Sequence, residues 1–276
     1  MRKVGLVMVL LLLGMFLATG TVEAVVISNM LDPLDPLYFS VDVGPSGSAS
    51  SMYFSGGNQV YEYNSFLDID GSVFDLNDFD VTSQMSGVTM DYQYVSQVYS
   101  SGTIDVTVLS QIGLGSQRFQ TNYSIMPSVA LTNVNFFQYL DADLGAYVSD
   151  DFATTSILPS GSRRLILYDS PPSLISSIGL NSGGMSEGLL TGWEIDEYST
   201  LLDNISSGNY DLRNGIFSSQ PADQTMALQW TLGNIAANAS FNIESEVTVI
   251  PVPEPMTMLL FGPALLGLVG FKRRKA

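Results

Sequence analysis

The sequence predicts an all-β protein: a β-sandwich body at residues 25–249, flanked by an N-terminal signal peptide at residues 1–24 and a C-terminal segment at 250–276 carrying a single short transmembrane helix. Three observations predict it. Polar and apolar residues alternate with period two in successive runs, Gly- and Ser-rich turns separate those runs, and no helical 3.6-residue period is sustained in the body. Short strands at this spacing, rich in Tyr and Phe, suit a sandwich, and all-β sandwiches reach this length as one domain.

At the N-terminus, Arg2 and Lys3 precede an apolar core at residues 4–18, and Val22, Glu23 and Ala24 fit the positions before a cleavage site. A mature chain starting at Val25 is expected. Residues 37–43 then alternate aromatic and aliphatic with polar residues, and residues 90–98 do the same with Tyr92 and Tyr94 on one face. Residues 103–111 put Ile104, Val106 and Val108 on one side. After a loop carrying Gly113 and Gly115, Phe119, Thr121, Tyr123 and Ile125 share a face of residues 118–125. Residues 129–140, 164–168, 225–232 and 241–249 continue the pattern, and Trp230 is expected in the core. Residues 173–180 and 198–206 are the two short segments with helical character, and 173–215 reads as a loop-rich insertion on the sandwich rim.

The C-terminus has a different character. Pro253 and Pro255 lack amide donors and hold φ near −65°, so the chain before Met256 is expected to be extended. The apolar run 256–271 would make about 24 Å of helix, short against about 30 Å of hydrocarbon. Snorkelling basic side chains and local thinning of the bilayer can cover the difference. Lys272, Arg273, Arg274 and Lys275 form a basic membrane stop that belongs on the cytoplasmic side. Both ends therefore place residues 25–250 across the membrane from the cytoplasm.

The body contains no lysine; four arginines stand against 25 acidic residues, a formal charge of −21. Such a surface disfavours nucleic acid, whose phosphates reward Lys and Arg. The chain has no cysteine, so no disulfide staples this extracytoplasmic body. It also has no histidine, which excludes Ser-His-Asp and Cys-His catalysis and His-ligated zinc.

Acidic clusters are the candidate chemistry. Asp68, Asp70, Asp75 and Asp78, with Asn77 and Asp80, gather hard oxygen ligands around Gly71, and Asp141 and Asp143, with Asp150 and Asp151 downstream, form a second group. Calcium, with six to eight oxygen ligands, is the cofactor these groups suggest, although neither has EF-hand spacing. Solvated acidic turns are the simpler account of both. Glu187, Glu194, Asp196 and Glu197 lie near Trp193, whose ring could stack on a sugar; paired carboxylates there would suit a glycosidase.

The three-part C-terminus, with Pro253, Glu254 and Pro255 followed by the short apolar stretch and the basic cluster, resembles a PEP-CTERM sorting signal. That resemblance covers about 25 residues. It implies a Gram-negative, exopolysaccharide-producing cell, export through the Sec machinery, and transient residence in the inner membrane. It also implies processing near the Pro-Glu-Pro motif by an exosortase, a membrane cysteine transpeptidase. The expectation is a non-enzymatic protein exported to the cell surface or extracellular matrix, serving as a structural or adhesive component of the exopolysaccharide or biofilm layer. The alternatives are a carbohydrate-binding module and a polysaccharide hydrolase with paired carboxylates.

Overall fold

The structure, a computed structural model, describes residues 24–35, 37–44, 49–54, 57–144, 151–158, 162–169, 175–183 and 189–251. The expected signal peptide up to residue 23, Pro253, Glu254, Pro255, the apolar run and Lys272–Lys275 lie outside the described residues, as do Asp150 and Glu187.

In chain order, β1 (Val25–Ser28), β2 (Phe39–Val43), β3 (Ala49–Phe54) and β4 (Gly57–Val60) form a small antiparallel sheet. A hairpin of β5 (Glu62–Ile69) and β6 (Ser72–Asp75) follows, then a 3-10 turn at Leu76–Asp78. Next comes an antiparallel meander of β7 (Asp80–Val88), β8 (Tyr92–Ser100), β9 (Ile104–Gly113) and β10 (Arg118–Pro127). The chain continues through β11 (Leu131–Asp141), β12 (Asp151–Ile157), β13 (Arg163–Asp169), β14 (Ile175–Ser182) and β15 (Leu189–Glu197). Helix α1 (Tyr198–Ser206), β16 (Gly215–Ile216), β17 (Gln224–Ile235) and β18 (Phe241–Pro251) complete it. One large sheet has the order β12-β13-β14-β18-β10-β9-β8-β7 and the other β16-β15-β17-β11-β5-β6.

The two large sheets face each other across one apolar core, as the period-two pattern requires. In β9 and β10 every second residue is buried, so Ile104, Val106, Val108, Phe119, Thr121, Tyr123 and Ile125 point inward as expected. Opposing rings interlock: Tyr63 of β5 meets Phe119 edge-on at 5.6 Å, and Tyr123 lies 4.8 Å from Phe136 of β11. Polar bonds also cross the gap. The Tyr123 hydroxyl donates to Gln138 Oε1 at 2.6 Å, and the Tyr63 hydroxyl donates to Thr121 at 3.3 Å. Trp230 of β17 is fully buried in this core.

The outer face of the six-stranded sheet is covered too. Leu201 and Ile205 of α1, with Leu212, bury Phe66, Phe137, Tyr139 and Ala227. This second layer explains why β11 reads Phe136-Phe137 through Leu140 without alternation: both of its faces are inside.

Two expectations are corrected. The helix expected at 173–180 is absent from its described residues: β14 occupies 175–182 and pairs with both β13 and β18, because two flanking ladders reward an extended chain that Ile178 and Leu180 anchor in the core. Nor is 173–215 a rim insertion, since β14 and β15 are interior strands of the two large sheets. The helix expected at 198–206 is α1 itself. Among the described residues, no helix is long and apolar enough to cross a membrane.

Candidate functional site: an acidic cleft at one sheet end

Antiparallel pairing brings carboxylates together at one end of the six-stranded sheet. β5 begins at Glu62 where β11 ends at Asp141, and the two residues are cross-strand partners. The amide of Tyr61 donates to the Asp141 carbonyl at 3.0 Å. β17 begins beside them, Thr225 opposite Asp141, which carries the preceding Asp223 to the same rim. Helix α1 starts there as well, its Tyr198 amide donating to the Asp223 carbonyl at 3.2 Å. Tyr61, Glu62, Asp141, Asp143, Tyr198 and Asp223 together line a cleft of about 340 Å³. One carboxylate oxygen each from Asp141, Asp143 and Asp223 lies within 4.8 Å of the others.

The electrostatics follow from burial and like charge. Asp141 is only 7% exposed, and its Oδ1 is buried without a hydrogen-bond partner, as is Oε2 of Glu62. Burial, then the charges of Asp143, Asp223 and Glu62, push the Asp141 carboxyl up to about 7. Burial and the neighbouring Asp75 raise Glu62, and burial and Glu197 raise Asp223. The Tyr198 hydroxyl is raised by Glu62 first, then by its partial burial and the two aspartates. Among the described residues, none that lines this cleft is basic. Arg118 pairs with Glu246, Arg164 bonds Asn181, Arg163 lies over Trp193 and Arg213 is engaged elsewhere.

Of the sequence-stated ligands, the structure brings Asp141 and Asp143 together and divides the first cluster. Asp68, 2% exposed, accepts from the amides of Gly71 at 2.8 Å and Asn209 at 3.0 Å. It staples the β5–β6 turn to the chain leaving α1. Asp70 accepts from Thr132 and from Asn133 Nδ2, the latter at 2.7 Å, and these bonds lower its carboxyl below the usual range. Asp75 sits at the far end of β6, opposite Phe66, and caps the 3-10 turn by accepting from the Asn77 amide. Asp78 is exposed on that turn. A hairpin strand lies between the two pairs, so the expected joint calcium site at 68–80 is not assembled: these carboxylates serve turns and caps.

Trp193 differs from an open sugar platform. It is half-buried against the main core, and the Arg163 guanidinium lies 4.9 Å from its ring centroid. Two carboxylates beside it, Glu194 and Asp196, are committed to structure. Fully buried Glu194 accepts from the Arg213 amide at 2.8 Å, from the Tyr210 hydroxyl at 2.9 Å and from the Arg213 guanidinium. Arg213 also reaches Asp196 at 2.6 Å. Burial, then Glu194, pushes the Tyr210 hydroxyl up to about 12.

Glu62, Asp223, Tyr61 and Tyr198 escaped the sequence reading. They lie far apart in the chain, and strand register alone makes them neighbours; no local spacing signals it.

No family model matches the sequence, and neither does any curated protein. Solved structures of similar architecture include a bacterial glucoamylase in complex with acarbose, at 12% identity and a TM-score of 0.55, over 82% of this chain and 31% of that one. A Klebsiella pneumoniae protein assigned as an aldose 1-epimerase matches at 5% identity and a TM-score of 0.49, over 78% of this chain and 77% of that one. This chain thus spans under a third of the glucoamylase, and at such identity the likeness is one of fold: a large all-β sandwich.

Proposed function

We propose that the protein is an exported, non-enzymatic component of the exopolysaccharide or biofilm layer, sorted by its PEP-CTERM-like tail and processed by an exosortase. The observation that carries this reading is the complete tail at Pro253–Pro255, 256–271 and Lys272–Lys275, placed directly after the body. The last described strand, β18, ends at Pro251, and the first, β1, starts at Val25. Cleavage after Ala24 and again between Val252 and Pro255 would leave every described strand intact. The sandwich shared with part of a glucoamylase agrees with a polysaccharide setting.

Two features support a non-catalytic body. Glu194 and Asp196 beside Trp193 are held by Arg213, and in the cleft Asp141, Asp143 and Asp223 gather as three like carboxylates, their oxygens within 4.8 Å of one another, without a lone acid–base pair. The testing experiment is intact mass of the protein released by cells with and without an exosortase. The expected product lacks residues 1–24 and everything beyond about 252–255. Extracellular protein that retains Lys272–Lys275 would refute the reading.

A carbohydrate-binding role is favoured by a second observation. On the outward face of the eight-stranded sheet, Gln111 donates to Gln120 and Gln120 to Glu244, forming a row of planar polar groups. Tyr92, Arg118 and Glu246 join Gln111 and Gln120 around a shallow depression of about 280 Å³. Loss of polymer retention in Tyr92→Ala and Gln120→Ala would support this role; unchanged retention would exclude this face.

A further inference from the structure

We propose that the acidic cleft is a divalent-cation site of calcium type, assembled from two chain segments: Asp141 at the end of β11 with Asp143 just beyond it, and Asp223 before β17, with Glu62 of β5 lining the cleft beside them. Its geometry and its test are independent of the export reading.

The spacing suits calcium. Oxygens bound to calcium at about 2.3–2.6 Å stand at most about 4.6–5.2 Å apart when they lie on opposite sides of the ion. The oxygens of Asp141, Asp143 and Asp223 fall within 4.8 Å of one another, so one ion can touch all three. Magnesium demands near-octahedral geometry and gives up its waters reluctantly, whereas calcium accepts an irregular set of carboxylate and water oxygens such as this one. The donor set is hard oxygen throughout. With no histidine or cysteine in the chain, softer metals lose their preferred ligands.

Burial is the second, independent observation. Asp141 is 93% buried in the cleft wall, yet its Oδ1 has no hydrogen-bond partner, and Oε2 of Glu62 shares that condition. Buried polar atoms in folded proteins are nearly always satisfied, and an unsatisfied carboxylate oxygen is especially costly. Among the described residues the usual partner, a basic side chain, does not line the cleft. A bound cation gives the Asp141 carboxylate a partner and cancels the repulsion among the three aspartates. The cleft, at about 340 Å³, has room for the ion and for waters that complete six to eight ligands. The ion would join the end of β11 to the entry of β17 at the sheet end where α1 also begins.

The test uses the full chain in detergent, stripped with chelator and then titrated with calcium chloride in a calorimeter, with thermal unfolding in parallel. Sites of extracellular modules bind with Kd of about 10⁻⁴–10⁻³ M. At ~10 mM calcium the folded-to-unfolded ratio should therefore rise about 10- to 100-fold, a Tm increase of about 3–10 °C. One calcium per chain is expected, weakened at least tenfold in Asp223→Asn and in Asp143→Asn, two partly exposed positions where folding should survive. Asp78→Asn, on the exposed turn, should bind as the unaltered chain does. The proposal is overturned if calcium gives neither heat nor a Tm shift. It is also overturned if Asp223→Asn and Asp143→Asn respond like the unaltered chain, or if magnesium or sodium chloride at matched ionic strength reproduces the whole effect.

Discussion

Replacing Arg213 with Met should strand a buried carboxylate, and the size of the loss can be worked from the contacts. Glu194 is fully buried, while the Arg213 side chain is 41% exposed and Asp196 10% exposed. Removing one partner of a buried ion pair costs about 3–5 kcal/mol. Two circumstances reduce this. Glu194 keeps the Tyr210 hydroxyl and the residue 213 amide, and water can reach Asp196 through the space the guanidinium leaves. Losing the stack of Arg213 on Phe217, 3.7 Å from the ring centroid, adds about 0.5–1 kcal/mol. A net loss of about 3 kcal/mol is expected, or a Tm drop of about 6–12 °C for a domain of this size. Urea unfolding of Arg213→Met, Glu194→Gln and the double variant measures it. The double variant should recover more than about 1.5 kcal/mol relative to simple addition, because a neutral amide no longer needs a cation. A single-variant loss under about 0.5 kcal/mol, or strict additivity, would refute the claim that Arg213 is there to neutralise Glu194.

Gly208→Ala should cost about 2–4 kcal/mol by denaturant unfolding, since Gly208 has φ +76° and an added Cβ would stand 2.2 Å from the Gly71 carbonyl oxygen; a neutral result would deny that close approach. With divalent ions chelated, stability should fall as pH rises from about 4 to about 7. The Asp141 carboxyl is held near 7 against an ordinary 3.8, so its contribution is complete below the unfolded value and lost on passing the folded one, and Glu62 and Asp223 act in the same direction. Asp141→Asn should flatten that slope, and an unchanged slope would place the titration elsewhere. Trp193→Ala should lower stability by about 1–3 kcal/mol while polymer retention stays unchanged, because its ring packs on the core beneath Arg163; retention lost at full stability would restore it as a sugar platform.

Where one face of a strand is buried and the other wet, the fold was readable residue by residue. β9 and β10 alternate cleanly, and their inward residues match the sequence reading. Strands covered on both sides, or on neither, carry no such signal. β14 lies between two partners and buries consecutive residues from Ser177 to Ser182, so its pattern imitates a short helix. β7 runs along a sheet edge with much of its surface exposed, and its polar composition shows no alternating apolar stripe. Among carboxylates, Asp141 and Asp143 were visible as a local pair, but the same logic grouped Asp68 with Asp75, which a hairpin strand separates.

Composition and periodicity alone determined that this chain is a lysine-free, acidic, all-β body between two apolar ends, because both signals are local and survive without any partner strand. Only the tertiary structure decided which acidic residues share a cleft. Glu62, Asp141 and Asp223 sit on segments far apart in sequence, and the register of β5, β11 and β17 sets their distance. Register is chosen by the packing of the whole sandwich, a global minimum that no window of neighbouring residues contains.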